Sequence, residues 1–249
     1  MEISELSEEI VLAANSKGSS YLRVIWDTIF NPSQAFGALR NKPRWLIPYL
    51  ISILIVLSSL AFTSNIKMED IKSDIRSSQN LSQAEIDRRV GNIDAQGTPG
   101  VSWPMVRLAI LAVTAIQTIK LFGIALVFWL AYHLIKPQIS FKQILAVCSF
   151  SLLILIPEAL IKIPLILAKG TTYIYLGPAV LLPIEWKYSP LFNLLNRLDV
   201  FSIWMAVLLI IGFSIALDVS KRKAAITVGY IWGIWLLISM FVGDLVQIG

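Results

Sequence analysis

The sequence predicts an all-α, polytopic membrane protein: a bundle of five transmembrane helices with an N-terminal interfacial helix and a hydrophilic loop after the first span. Of the 249 residues, 56% are hydrophobic and 15% are charged. The apolar residues fall in blocks long enough to cross a bilayer core of about 30 Å. The basic residues lie beside these blocks, where they orient helices and contact lipid headgroups. The net charge of +5 therefore indicates a membrane partner and no nucleic acid.

The chain begins with an acidic tail and then becomes amphipathic. Residues 1–19 carry glutamates without a basic flank or an apolar core, which is the wrong pattern for a cleaved signal peptide. We expect a flexible tail that stays in the cytosol. Residues 20–43 mix apolar side chains with Arg23 and Asp27, and their apolar run is too short to span a bilayer. This pattern is typical of a helix that lies in the membrane interface.

A second short helix is predicted within this amphipathic segment. Asn31 and Pro32 form a typical helix start, with Asn as the N-cap and Pro at the first helical position. Ala35, Phe36 and Leu39 follow at helical spacing. We interpret this element as a surface helix that leads into the membrane, with a binding motif as the alternative. The candidate contacts with a partner or with the membrane surface are Trp26, Phe30, Phe36 and Arg40.

Residues 44–249 are predicted to form the five-helix membrane domain. Its spans are expected at about 45–64, 104–135, 141–168, 199–217 and 224–243. The hydrophilic stretch 65–103 is predicted to be an extramembrane loop with two short helices, one of them started by a capping box of Ser82 and Glu85. Residues 170–196 combine Gly and Pro with Trp and Tyr, which favours a loop at the outer membrane surface.

Short turns that are dense in positive charge connect the spans on one side. One turn holds Lys136 and Lys142, another holds Lys221, Arg222 and Lys223, and a basic collar precedes the first span. Such residues prefer the cytoplasmic side of a membrane. We therefore predict a cytosolic amino terminus and, with five spans, a carboxyl terminus outside.

Polar residues inside the apolar blocks form a candidate intramembrane polar site: Gln117, Lys120, Glu158 and Lys162. The turn between the second and third spans is short, so these helices are expected to be antiparallel neighbours, and depth can be counted at about 1.5 Å per residue. Lys120 and Glu158 then lie at the same depth, which predicts a contact between them. Glu158 and Lys162 are also spaced as an i, i+4 pair that would secure a helix end beside Pro164.

Reactive residues are few. The single histidine, His133, is expected at the inner end of the second span, where packing explains it better than catalysis or metal binding. The single cysteine, Cys148, excludes an internal disulfide and is expected in the core. Because metalloprotease, hydrolase and P-loop motifs are absent, we predict no enzyme, no cofactor and no metal. Gly229 and Gly233 form a GxxxG pattern that offers a homo-oligomer interface.

Motifs in two parts of the chain carry a family resemblance. They are Asn31-Pro32-Ser33-Gln34-Ala35-Phe36 with Pro43-Arg44-Trp45 and Pro48, and later Asp199-Val200-Phe201-Ser202-Ile203-Trp204, Gly212, Lys223-Ala224 and Trp232. With them, residues 20–243 resemble the Yip-domain family, whose eukaryotic members are Ypt/Rab-interacting membrane proteins. The resemblance implies five transmembrane helices and a cytosolic amino terminus, and it implies trafficking and GTPase binding for the eukaryotic branch.

The chain departs from that eukaryotic branch in three respects. It lacks the Asp-Leu-Tyr-Gly-Pro type motif, its cytosolic tail is short, and a charged loop follows its first span. These departures resemble the prokaryotic branch, whose partner is not a Rab protein. The expected location is therefore a prokaryotic cytoplasmic membrane.

Two functions from different classes follow from these observations. The first is a non-enzymatic membrane scaffold or adaptor for membrane organisation or trafficking-like processes, with the lipid bilayer and an unidentified protein as partners. The alternative is a small transporter or lipid-translocating protein that uses Lys120, Glu158 and Lys162, because buried charges and broken helices mark substrate paths in transporters.

Overall fold

The computed structural model describes residues 23–40, 42–78, 81–95, 103–183, 186–187 and 189–245. The predicted acidic tail, residues 1–19, lies outside these ranges. All regular elements in the described ranges are helical, as expected for the predicted class. The helices are α1 (23–30), α2 (Pro32–Leu39), α3 (Leu46–Ser77), α4 (Gln83–Ala95), α5 (Trp103–Ile135), α6 (Phe141–Ser151), α7 (Leu155–Lys169), α8 (Pro190–Arg197), α9 (Val200–Ala216) and α10 (Lys221–Leu245).

Four helical segments of the described chain are long and apolar enough to cross a membrane: Leu46–Ser77, Arg107–Ile135, Phe141–Lys169 and Lys221–Met240. The third of these combines α6 and α7. Helices α8 and α9 form a pair with a bend of 57°, and counting this pair as one further span gives up to five. The predicted spans thus correspond to helical segments, and the predicted number of five depends on the bent pair.

The first span is longer than predicted. Helix α3 continues without a break to Ser77, because no Gly or Pro interrupts the chain after Pro48. In the described part of 65–103, the predicted two short helices are therefore replaced by the end of α3 and the single separate helix α4. Ser82 caps α4, and its hydroxyl accepts a hydrogen bond of 3.3 Å from the Glu85 backbone N–H. Lys72 joins the two helices by an ion pair of 2.6 Å to Asp94.

Helix α2 packs one face into the core, while Ser33, Gln34, Gly37 and Ala38 on its other face are exposed, as a surface helix requires. Phe36 is fully buried, and Ala35 and Leu39 are nearly so. The helix packs against α9, where Gly212 leaves room for the Phe36 ring. The apolar spacing of α2 therefore marks a face that meets another helix and not a face that meets lipid headgroups.

Helix α6 lies at the centre of the bundle, and all of its residues from Ile144 to Ser151 are buried. The chain then forms a short 3-10 turn, Leu152–Ile154, before α7. Pro157 accounts for this break, because it has no N–H for the Leu153 carbonyl and its ring crowds that carbonyl. Helix α7 packs mainly on α3, whereas α6 packs on α5 and α9.

The two ends of the bundle carry different ion pairs. At one end, the carboxylate of Asp218, which follows α9, lies 3.2 Å from Arg40 and 3.9 Å from Lys136. These contacts place the basic collar and the two charged turns together at one end of the bundle. At the other end, the loop after α7 contacts the end of α3 through Asp70 and Asp74.

Candidate functional site

Three charged side chains, Glu158, Lys162 and Asp199, form an ion triad where α7 meets the start of α9. The Lys162 Nζ lies 2.6 Å from Glu158 Oε1 and 2.9 Å from Asp199 Oδ2. The three side chains are only 13–26% exposed. The predicted i, i+4 pair is confirmed. The third member, Asp199, was missed because it lies 37 residues from Lys162 in the chain.

Asp199 has a second role as the N-cap of α9. Its Oδ1 accepts a hydrogen bond of 2.7 Å from the Ser202 backbone N–H. An Asp at this position satisfies a free helix donor and interacts favourably with the helix dipole. Both carboxylate oxygens of Asp199 are thus used, one by Lys162 and one by α9. The sequence carries a signal for this cap, since Asp199 directly precedes the apolar residues of α9.

The predicted contact between Lys120 and Glu158 is not formed. Glu158 pairs with Lys162, and no ion pair of the described residues includes Lys120, which is exposed on α5. At this depth α5 turns Thr118 inward, where its hydroxyl lies 2.5 Å from that of Tyr49 on α3. Gln117 is half-buried on the same helix. Counting residues along the two helices places Lys120 and Glu158 at the same depth. It does not specify the direction in which each side chain points.

A polar cavity of about 360 Å³ lies beside the ion triad. Its walls come from the 3-10 turn and from α7, α8, α9 and α10, and its polar lining residues are Glu158, Asn193, Asn196, Arg197, Asp199 and Ser202. The Arg197 guanidinium lies 5.0 Å from the centre of the Trp235 ring. The Asn193 Nδ2 is buried without a hydrogen-bond partner among the described residues. The Arg197 guanidinium, which forms no ion pair among the described residues, therefore leaves hydrogen-bond donors of the cavity unused.

An apolar cleft of about 430 Å³ adjoins the polar cavity. It lies between α5, α9 and α10, and Ser202, Met205 and Trp235 line both spaces. The other lining residues are Gly123, Ile124, Val127, Phe128, Ala206, Leu209, Val228, Ile231, Trp232, Ile234 and Ile238. The combined space is polar near the bend between α8 and α9 and apolar along the membrane-spanning part of the helices.

Two aspartates near the end of α3 hold the loop that follows α7. Asp70 accepts hydrogen bonds from the Thr171 hydroxyl at 2.9 Å and from the Thr172 backbone N–H at 2.6 Å. Asp74 accepts hydrogen bonds from the Tyr173 hydroxyl and from Lys187, the latter at 2.8 Å. Burial, together with the bond to Asp74, raises the pKa of Tyr173 to about 12. This aspartate clamp was not predicted, because its two halves are about 100 residues apart.

The candidate surface residues of the amino-terminal region differ in their environment. Trp26 and Phe30 are 63% and 66% exposed, and their ring centres lie 4.4 Å apart on α1. Phe36 is buried, so its prediction as a surface contact is wrong: α9 covers it. Arg40 lies at the protein surface but pairs with Asp218.

The remaining candidate residues either pack against other side chains or face open space. Cys148 is buried in the core, as predicted. His133 stacks on Trp129 with ring centres 4.9 Å apart. Gly229 and Gly233 face open space, so the described chain leaves this face of α10 without close contacts. Within the described ranges, no group of three or more His, Cys, Asp or Glu side chains is arranged to hold a metal ion.

Comparison with protein-family models gives a match to the Yip1 domain over residues 26–243. The matched range includes α2, the ion triad and both cavities. Comparisons with curated proteins and with solved structures gave no match.

Proposed function

The chain belongs to the Yip1 domain family, and we propose that it is a non-enzymatic integral membrane scaffold that recruits a protein partner through its amino-terminal helices. The observation that carries this proposal is the burial of α2. Because Phe36, Ala35 and Leu39 anchor α2 in the bundle, the adjoining α1 is held in a defined position.

The anchored helix α1 presents an aromatic surface. Trp26 and Phe30 lie against one another and are mostly exposed, whereas Val24 and Ile25 pack on the core. Large aromatic side chains are enriched among the residues that dominate binding energy in protein interfaces. Catalysis has no comparable support, because the charged side chains of the ion triad form ion pairs with one another.

Site-specific photo-crosslinking tests the recruitment. A photoreactive amino acid at Trp26 or Phe30 is expected to capture one defined protein in intact cells. The matched control is Tyr230, which is also a well-exposed aromatic residue but lies on the membrane-spanning helix α10, where lipid is expected. The captured protein should co-purify with the wild-type chain and be lost from a W26A/F30A variant that still reaches the membrane. Capture of lipid alone at Trp26 and Phe30 would contradict the proposal.

The alternative, a transporter or lipid-translocating protein, is favoured by the cavity beside Glu158. Reconstitution in liposomes with a flux assay separates it from the scaffold. If Glu158 lies on a substrate path, E158Q should change the flux, while K120M should leave it unchanged because Lys120 lies away from the cavity. If no flux is measured, or if E158Q leaves the flux unchanged, the alternative is wrong.

We also propose the orientation with the amino terminus in the cytosol and the carboxyl terminus outside, in a prokaryotic cytoplasmic membrane. The clustering of Arg40, Lys136 and Asp218 at one end supports it. Because the native Cys148 is buried, single added cysteines can be labelled with little background. R222C should react only after the membrane is permeabilised, and D87C should react in intact cells. The reverse pattern would invert the topology.

A further inference from the structure

The polar cavity and the apolar cleft together have the form of a site for one membrane lipid. Each volume lies within the range of about 300–1,000 Å³ that is usual for small-ligand pockets. The two spaces adjoin one another, because Ser202, Met205 and Trp235 line both. From this adjacency and from the charges described below, we propose that the site binds a zwitterionic phospholipid whose headgroup carries a phosphate and a primary ammonium group.

The cleft follows one face of α9. Ser202, Met205, Ala206 and Leu209 are spaced as neighbours on a single helix face. They extend the cleft by about 10 Å from the bend between α8 and α9 towards the middle of the helix. Helix α9 has 17 residues, a length of about 25 Å that nearly matches the bilayer core. The polar cavity therefore lies near headgroup level, and an acyl chain in the cleft lies parallel to its neighbours in the bilayer.

The unused donors of the polar cavity fit a phosphate. None of the ion pairs of the described residues includes Arg197, whose guanidinium lies 5.0 Å from the centre of the Trp235 ring. Arg197 extends from α8 and lines the cavity together with Asn193 and Asn196 of the same helix. A guanidinium binds phosphate strongly because its N–H groups match two phosphate oxygens.

The unused acceptor of the same cavity fits an ammonium group. Lys162 uses Oε1 of Glu158, while Oε2 has no hydrogen bond within the described chain. Glu158, Lys162 and Asp199 together carry one net negative charge, and Arg197 supplies one positive charge. A headgroup with charges of both signs therefore leaves the cavity neutral, whereas an anionic lipid adds an uncompensated negative charge beside Glu158 and Asp199. This charge complementarity is why the proposal commits to a zwitterionic lipid.

Native mass spectrometry of the full-length protein in detergent tests the proposal, with three lipids titrated separately. Phosphatidylethanolamine has both headgroup charges, phosphatidylglycerol has the phosphate alone, and diacylglycerol has neither. Phosphatidylethanolamine should bind about tenfold more tightly than phosphatidylglycerol, as expected for one additional charge-assisted hydrogen bond, and diacylglycerol should bind most weakly because it lacks both charged groups. Equal binding of the three lipids, or tighter binding of phosphatidylglycerol, would overturn the proposal.

Variants locate the binding on the protein. R197Q should reduce the binding of both phospholipids, and E158Q should remove the preference for phosphatidylethanolamine. If E158Q does not fold, R197Q still tests the proposal, because this substitution breaks no ion pair of the described residues. K120Q is the matched control: it removes a cation from an exposed membrane position outside the cavity.

Filling the cleft provides an independent test. Gly123 lines the cleft, and a Cβ built on it meets no atom within 4 Å. The larger side chain of G123L should therefore occupy the acyl-chain position and reduce phosphatidylethanolamine binding about tenfold without disturbing the fold. G229L is the matched control, because Gly229 also faces open space but does not line the cleft. Equal loss in both variants, or in neither, would show that bound lipid is not in this cleft.

Discussion

Phe36 of α2 lies directly over the bare Cα of Gly212 in α9. A Cβ at Gly212 would come within 2.9 Å of Phe36 Cε1 and 2.6 Å of Val147 Cγ1, both closer than real Cβ contacts. Only glycine therefore allows α2 and the central helix α6 to approach α9 together. The position of α1 and of its exposed aromatic pair depends on this contact.

The first prediction concerns that contact. G212A should destabilise the protein by about 1–3 kcal/mol, the usual effect of overpacking a core. F36A should destabilise it by about 3–5 kcal/mol through the cavity that it leaves. Thermal unfolding in detergent measures both effects. G229A is the control, because its new methyl group meets open space. A G212A variant as stable as G229A would show that the packing of α2 is looser than described.

The second prediction concerns the ion triad. K162M leaves the carboxylates of Glu158 and Asp199 without their shared cation, and E158Q removes one of those carboxylates. Since the triad is partly buried, K162M should cost between roughly 1 and 3 kcal/mol, between the values typical of exposed and of buried pairs. In an E158Q/K162M double mutant, the loss should be smaller than the sum of the single losses. Strict additivity in urea unfolding would show that the pair is not coupled.

The third prediction separates the two roles of Asp199. D199N keeps a side chain that can cap α9 but removes the charge that Lys162 binds, whereas D199A removes both. D199A should therefore be less stable than D199N by about 1 kcal/mol, the usual contribution of an N-cap. The unfolding midpoints of the two variants provide the comparison. S189A offers a reference, since Ser189 caps α8 through the Phe192 backbone N–H at 3.1 Å without an ion pair.

The fourth prediction concerns the pH dependence of the aspartate clamp. Tyr173 keeps its proton up to a pKa of about 12 in the folded protein, against 10.0 for the ordinary side chain. Above pH 10 the unfolded chain loses this proton first, so the stability that Tyr173 contributes is complete below that pH. It should decline as the pH rises from about 10 to about 12.

The difference between the wild type and Y173F measures this contribution. Both proteins share the other titrating groups, including Lys187 and Asp74, which contact Tyr173. The difference in unfolding temperature should be constant from pH 7 to pH 9 and then shrink. A difference that grows with pH, or that does not change up to pH 12, would contradict the raised pKa.

The fifth prediction concerns Asp218, which has a φ of 55° although it is not glycine. In this left-handed region an ordinary side chain costs about 1–2 kcal/mol. D218G and D218A both lose the exposed pair with Arg40, so they differ only in the backbone. D218A should be less stable than D218G by about 1 kcal/mol, as measured by thermal unfolding. Equal stability would indicate that the turn relaxes without cost.

The sequence alone predicts the helical class and the position of the spans, because long apolar blocks have few alternatives in a bilayer. It also predicts contacts within one helix. The pair of Glu158 and Lys162 follows from their spacing, and the start of α4 at Ser82 follows from its capping residues. In each case the partners are within four residues, where helix geometry specifies their relative position.

Only the tertiary structure decides which neighbour each helix face meets. Counting residues gives the depth of Lys120 and Glu158 but not the direction of their side chains, so the predicted contact between helices is wrong. Lys162 instead binds Asp199, from another helix, and the apolar face of α2 meets Gly212 instead of the membrane surface. The physical reason is that helical periodicity describes a face relative to its own axis, whereas packing among several helices determines how each axis is rotated.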